Sequence, residues 1–463
     1  MGTDQPESPR SLDRRRLLQT LGAAGFASIA GCSWGESGED ATTTPTATPA
    51  SPTQTPQGRH TPAKDDRIPN ADQYGTVVDL GDAGADRNGE ESIIPHLNEH
   101  AGDDTLLYLP EGRYLMDDWW EFSPFTKFGI YGDGATIAPP EGYRGELPLL
   151  ILGNGESNGL YVEGLRFDFT ERGVGPSAIY TFAKDNLLVR DIAVTGTTHI
   201  NRFDVTSSDG TGVVEGFRLP DGGFGKTPTG CYVGQNHRGT LTMKDCYING
   251  FWGTGIYASN TPGTVRVIGG EFINNGIANV RVGSDALVRN VTVRCDNPPD
   301  GFRNMRGIWV LGPNATIENC QLEFGSVSGS DGAIVLGSSA TVRNTSVSID
   351  SHEINALLGN DPTRRPGRDG QVGQTTLDGV EITGNAGGGS AVTLINHDDF
   401  SAKSVSIEQS GRSRDGFRLV NIDRGSITES SVDVTGQPVV AENSSVQELD
   451  LATGRPVSRS RRQ

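Results

Sequence analysis

Residues able to do chemistry crowd most closely between 281 and 309. Arg281 is followed by Asp296, Asp300, Arg303 and Arg306 within RCDNPPDGFRNMR, which begins at 294, and then by Trp309. Clustered carboxylates can hold a hard divalent cation, and arginines beside them can clamp a carboxylate of a ligand. A solvated loop of mixed charge accounts for the same residues. Binding asks for less than catalysis: aromatic side chains with hydrogen-bonding neighbours suffice to hold sugars. Tyr180, Tyr232, Tyr257 and Trp309 stand in strand-like stretches along the chain, with Arg281 between the last two. Matching those stretches on their closing glycines, Gly234 with Gly283 and Gly312, puts Tyr232 and Arg281 on one face and Trp309 on the other. Weaker signals fall away. Asp398 and Asp399 after His397 read as a polar turn, and GFGKT from 223 lacks the first glycine of a phosphate loop, having Pro220 there.

What must position these residues is a repeat. Eleven segments align without gaps: YVEGLRF from 161, LVRDIAV from 188, VVEGFRL from 213, TMKDCYI from 242, RVIGGEF from 266, LVRNVTV from 287, TIENCQL from 316, TVRNTSV from 341, TLDGVEI from 376, SAKSVSI from 401 and SITESSV from 426. The second column, from Val162 to Ile427, and the seventh, from Phe167 to Val432, are apolar throughout. The fourth is Gly, Asp or Asn in the first nine segments, the residue types that tolerate a left-handed backbone. Each segment is therefore a short strand, a one-residue bend and a second short strand. A third strand precedes each, as in GIWVLG from 307. Three parallel strands per turn, stacked at roughly 4.8 Å per coil, make the chain all-β: a right-handed parallel β-helix, a solenoid of about eleven coils.

The repeat resembles the pectate-lyase-like superfamily of β-helices. VVDLGDAGADRNGEESII and then TLLYLPEGRYLM resemble the Gly/Asp-rich start, short N-terminal capping helix and first strand of its polygalacturonase-type members, and the likeness runs from about 76 to 447. The resemblance implies a polysaccharide partner, although the superfamily holds lyases, hydrolases, epimerases, tailspikes and non-catalytic adhesins. A lyase of this kind needs calcium on carboxylates and an Arg or Lys as base. On that reading Arg281, Asp300, Arg303 and Arg306 are the candidate catalytic residues, Asp296 and Asp300 the candidate calcium ligands, and Tyr232, Tyr257 and Trp309 the candidate substrate-binding residues. The Asn-Thr-Asp, Gly-His-Gly and Arg-Ile-Lys strings of the hydrolases are absent. The expectation is a protein that binds or cleaves an acidic polysaccharide; the alternative is a non-catalytic adhesion or envelope-scaffold protein. Longer connections fall at 195 to 212, 220 to 230, 294 to 306 and 351 to 373, and the first three, entering the same strand on neighbouring coils, are expected to wall a groove beside Tyr232, Tyr257 and Arg281 with Asp300, Arg303 and Arg306 on its rim.

The net charge of −19, with only six Lys among 39 basic residues, opposes nucleic-acid binding and suits a salt-adapted surface. A monomer is expected. Cys231, Cys246, Cys295 and Cys320 form no metal pattern, and Cys246 and Cys320 share a column three coils apart, roughly 14 Å at that rise, too far for a disulfide. Of the N-x-Ser/Thr positions, Asn290 and Asn344 already serve as bends, which leaves Asn314 and Asn443 as the glycosylation candidates.

The first 31 residues pair Arg14-Arg15-Arg16 with a short apolar run ending at Ala30-Gly31, immediately before Cys32. They resemble a twin-arginine signal closed by a lipobox, so Cys32 is the expected lipidation site. Residues 32–70 read as a disordered Thr/Pro-rich stalk, 71–450 as the β-helix and 451–463 as a basic tail. The expected location is the cell surface, lipid-anchored to the outer face of the cytoplasmic membrane. Cys32→Ala should leave the precursor uncleaved or release the protein from membranes on fractionation; continued processing and retention would refute the lipobox.

Overall fold

A computed structural model of the chain describes residues 68–143, 148–225, 228–297, 304–325, 327, 329–360 and 373–454. Cys32, the signal and nearly all of the stalk and tail lie outside the described residues, as do Asp300 and Arg303. The described chain is a parallel β-solenoid of about 14 turns with one α-helix, and the crossover preference of parallel strands gives it a right-handed sense.

Its strands form three ladders that run the length of the solenoid. The first carries the second column of the repeat: Val162 pairs with Val189, Val189 with Val214, Val214 with Met243, and so on to Ile427. The second carries the seventh column, as in Phe272 with Val293 and Val293 with Leu322. Residues of both columns are buried, which identifies them as the core. Between them Gly164, Asp191, Gly216, Asp245, Gly269, Asn290, Asn319, Asn344 and Gly379 all have positive φ. So do Ser404 (52°) and Glu429 (51°), residue types with no preference for that conformation.

Three coils precede residue 161, and sequence alignment missed them because their first corner is not one residue. Thr105–Leu109 and Gly112–Leu115 are joined through Pro110 and Glu111, for example. The capping helix is Ile94–His100, with Leu97 buried beneath it and the Trp120 indole donating to Asn98 Oδ1 at 3.0 Å. At the other end Glu448 and Thr453 stand over Ile427 and Val432. Polar residues in apolar columns end the core there. Packing also reaches slightly past the expected domain limits: Ile68 sits against Leu106 and Tyr161, and the last strand runs to Thr453.

Outside, alternating charges bridge successive coils on the first ladder, including Glu163 with Arg190, Glu215 with Lys244, and Glu318 with both Arg289 and Arg343. A one-coil slip would set like charges together. Inside, Arg414 is fully buried and donates to Gln409 Oε1 at 2.7 Å, to the Gly388 carbonyl at 2.8 Å and to the Ile354 carbonyl at 2.7 Å. It clasps three coils, and burial lowers its pKa to about 10. All four described cysteines are buried free thiols, with burial pushing Cys246 and Cys295 up to about 12. Val293 is fully buried in the second ladder. Val293→Asp should lower stability by several kcal/mol, read as a thermal melt, because the carboxylate would have no partner among apolar rows. An unchanged melt would contradict the inward assignment.

Candidate functional site

The third ladder gathers all four aromatic residues the sequence singled out. Along its outer face Tyr180 pairs with Arg202, Arg202 with Tyr232, Tyr232 with Tyr257, Tyr257 with Arg281 and Arg281 with Trp309. Trp309 thus shares the face of Arg281, a correction to the glycine-matched pleat. Val282 pairs with Val310, so Gly283 corresponds to Leu311 and Gly312 lies one residue further on. A one-residue slip reverses the face of every side chain in a strand. Sequence reasoning missed Arg202, which carries no motif and is found only by its register. Val335, next after Trp309, is fully buried and closes the column at that end.

Column neighbours stack on one another. The Tyr232 and Tyr257 rings are 5.5 Å apart, and the Arg281 guanidinium lies 4.2 Å from the centre of Tyr257 and 4.4 Å from that of Trp309. Arg306 reaches the same indole at 4.1 Å while its Nη2 pairs with Asp331 at 2.6 Å. Expected to be sugar platforms, the ring faces are instead occupied by neighbours; the outward rims offer hydroxyls and guanidinium edges. A guanidinium held between two rings keeps its donors in plane and loses little freedom on meeting a carboxylate. Lower in the column, Arg202 is buried in a pair with Asp204 (2.8 Å), which also accepts from the Gly234 amide at 2.7 Å. Burial raises the pKa of Tyr180 and Tyr232.

Two residues further along each strand the same outer face carries Phe182, Asp204, Gly234, Ser259 and Gly283. These are mostly small or tucked in, so the column stands above them as a wall. Two shallow cavities follow this floor where the third ladder turns into the first. One of about 340 Å³ is lined by Asn154, Glu156, Phe182, Lys184, Thr206 and Arg238. The other, about 420 Å³, is lined by Gln235, Ser259, Asn260, Thr261, Ser284 and Gly312. His237 braces the turn between them: its Nδ1 accepts from the Val205 amide (3.1 Å) and its Nε2 donates to the Thr264 carbonyl (3.2 Å). Burial lowers its pKa and keeps it neutral.

Of the connections expected to wall it, 195 to 212 contributes Thr206 and Ser207 to the trough, just past a third-ladder strand. The described parts of 220 to 230 and 294 to 306 come before third-ladder strands, whereas 195 to 212 and 351 to 373 each contain one, Asn201–Val205 and Asn355–Gly359. Asp296 belongs to the end of the second ladder, where Oδ1 accepts from Asn274 Nδ2 at 3.1 Å and Oδ2 pairs with Arg294 at 3.0 Å. Its proposed calcium partner Asp300 lies outside the described residues, among which no three His, Cys, Asp or Glu converge as a metal site. Asp399 pairs through both oxygens with Arg424 (2.6 and 2.8 Å), which holds its carboxyl below the usual range. Asn314 and Asn443 have positive φ like Asn290 and Asn344, so backbone role does not separate the four glycosylation motifs.

No known family matches the chain, and no curated protein matches it by sequence. In three dimensions it is similar to parallel β-helix proteins. The Streptococcus pneumoniae surface adhesin PfbA matches at 11% identity and TM-score 0.45, over 83% of this chain and 96% of that one. The A-module of the Azotobacter vinelandii mannuronan C-5 epimerase AlgE6 matches at 14% and 0.38, over 82% and 99%. A family 28 exopolygalacturonase of Yersinia enterocolitica matches at 11% and 0.31, over 82% and 79%. At such scores the likeness carries no argument about chemistry.

If the stack pins Arg281, it must be coupled energetically to Trp309. A double-mutant cycle of Arg281→Met and Trp309→Leu, read by denaturant melts, should return a coupling of about 0.5–1 kcal/mol. Additive losses would mean that the contact holds nothing in place.

Proposed function

We propose that this solenoid is the receptor part of a surface-anchored protein and holds an extended acidic polysaccharide along its third ladder without cleaving it. The observation that carries the reading is the in-register column from Tyr180 to Trp309, in which Arg281 is clamped between two rings and Arg306 rests on the second. A line of rims parallel to the solenoid axis suits a linear ligand, and an arginine edge suits its carboxylates. Anchoring through lipidated Cys32 would hold this face where such polymers occur.

Binding is favoured over turnover by the state of the carboxyls. Cleaving a glycosidic bond by acid catalysis calls for a carboxyl raised toward neutral pH. Among the described residues, the carboxyls that depart from their ordinary range, Asp86, Asp168 and Asp399, depart downward. Asp399 is held low by Arg424, and Asp86 by the amides of Glu91, Asn88 and Glu90. In Asp168 partial burial is outweighed by Thr170 and Arg113.

Passage of the purified protein over immobilised polygalacturonate, alginate and hyaluronan, with neutral dextran as control, tests this. Retention on an acidic polymer and none on dextran is expected, without unsaturated products or new reducing ends, and Arg281→Met should weaken retention about tenfold. No retention on any acidic polymer would leave an envelope scaffold as the account; product formation would overturn the non-catalytic reading.

A further inference from the structure

Cations beside the trough recur on alternate coils. Lys184 follows the third-ladder strand that contains Tyr180, Arg238 follows the strand of Tyr232 two coils on, and Arg281 stands in the wall two coils beyond that, with Arg306 on the next coil neutralised by Asp331. The coils between present no net positive charge. On one, Arg202 is neutralised by Asp204, its side chain only 6% exposed, and Thr206 and Ser207 line the cavity. On the other, Ser259, Asn260 and Thr261 line it. Two coils correspond to roughly 9.6 Å. An extended pyranose chain advances by about one coil rise per ring, so a polymer lying in the trough meets a cation at every second ring and hydroxyl or amide groups at the ring between.

We infer that the ligand of this face is a polysaccharide whose carboxylates fall on alternate rings, an acidic sugar alternating with a neutral one, rather than a polymer charged on every ring. The inference rests on the polysaccharide reading above and specifies its ligand. Charge balance supports it: the chain carries −19 overall, so a carboxylate placed over an uncharged coil gains no cation and is repelled by the surrounding acids. Lys184 is available despite its contact with Glu156 (3.1 Å), since both side chains are at least half exposed and such pairs are weak. Arg238 is exposed and makes no ion pair among the described residues. The neutral rings find Ser, Asn, Thr and Gln donors and acceptors on the floor.

The floor also supplies a clean obstruction. A Cβ placed on Gly283 meets nothing nearer than 3.6 Å, so the backbone there accepts a side chain, and Gly283→Leu serves as the obstruction once its melt is shown to match that of the parent protein. The test compares hyaluronan, in which a uronate alternates with a neutral N-acetylhexosamine, with polygalacturonate, which has a uronate on every ring. Oligomers matched in length are titrated into the full protein. Hyaluronan should bind about tenfold more tightly, and Arg238→Gln or Gly283→Leu should each weaken it about tenfold. Equal or tighter binding of polygalacturonate overturns the alternation and leaves the acidic-polysaccharide reading standing. Binding of neither polymer sinks both. Hyaluronan binding indifferent to Arg238→Gln and to Gly283→Leu in a protein of unchanged melt removes the trough from the account.

Discussion

From Gly164 to Glu429 every coil turns its first corner on a single residue of positive φ, and the register of the whole stack depends on that bend. The bend amides tie one coil to the next. Gly164 donates to the Arg190 carbonyl, Asp191 to Glu215, Gly216 to Lys244, Asp245 to Ile268 and Gly269 to Arg289, and the series continues to Ser404 with Thr428. A left-handed L-residue costs about 1–2 kcal/mol, yet Ser404 and Glu429 adopt it. Burial of Ala402, Ile407, Ile427 and Val432 on either side outweighs that cost, so the stack imposes the bend where the local sequence does not ask for it.

The same constraint explains what could be seen in the sequence. Strands of the first and second ladders are separated by one fixed bend, so their columns align by eye, and the inward assignment of Val162 or Val293 follows. The third ladder has no such ruler. From Phe272 to Arg281 the chain advances nine residues, but from Val293 to Trp309 sixteen, and a glycine taken as a landmark then misplaces the pleat by one. The first three coils were hidden because their corners are built differently, as at Pro110 and Glu111.

Of the candidate site, the residue types were legible and the assembly was not. Tyr232, Tyr257, Arg281 and Trp309 do come together, because parallel in-register coils place equivalent residues directly above one another, and Arg306, which pairs with Ala278, joins them through its side chain. That arrangement also alters their role, since rings stacked along the axis present rims and not faces to solvent. The pair of Arg202 with Asp204 and the floor of Gly234, Ser259 and Gly283 follow from register alone and leave no local signature. Asp296, close to Arg306 in sequence, belongs instead to the corner after the second ladder, with Asn274 and Arg294.

Stacking thus makes the site long and not deep, and its length is the most direct quantity to measure. The two cavities reach from the coil of Asn154 to that of Gly312, six coil steps or roughly 29 Å. Isothermal titration of the full protein with hyaluronan oligomers of increasing length should show affinity rising with each added repeat until the oligomer spans about that distance, and then levelling. Affinity already maximal for a single disaccharide, or unchanged with length, would contradict an axial receptor.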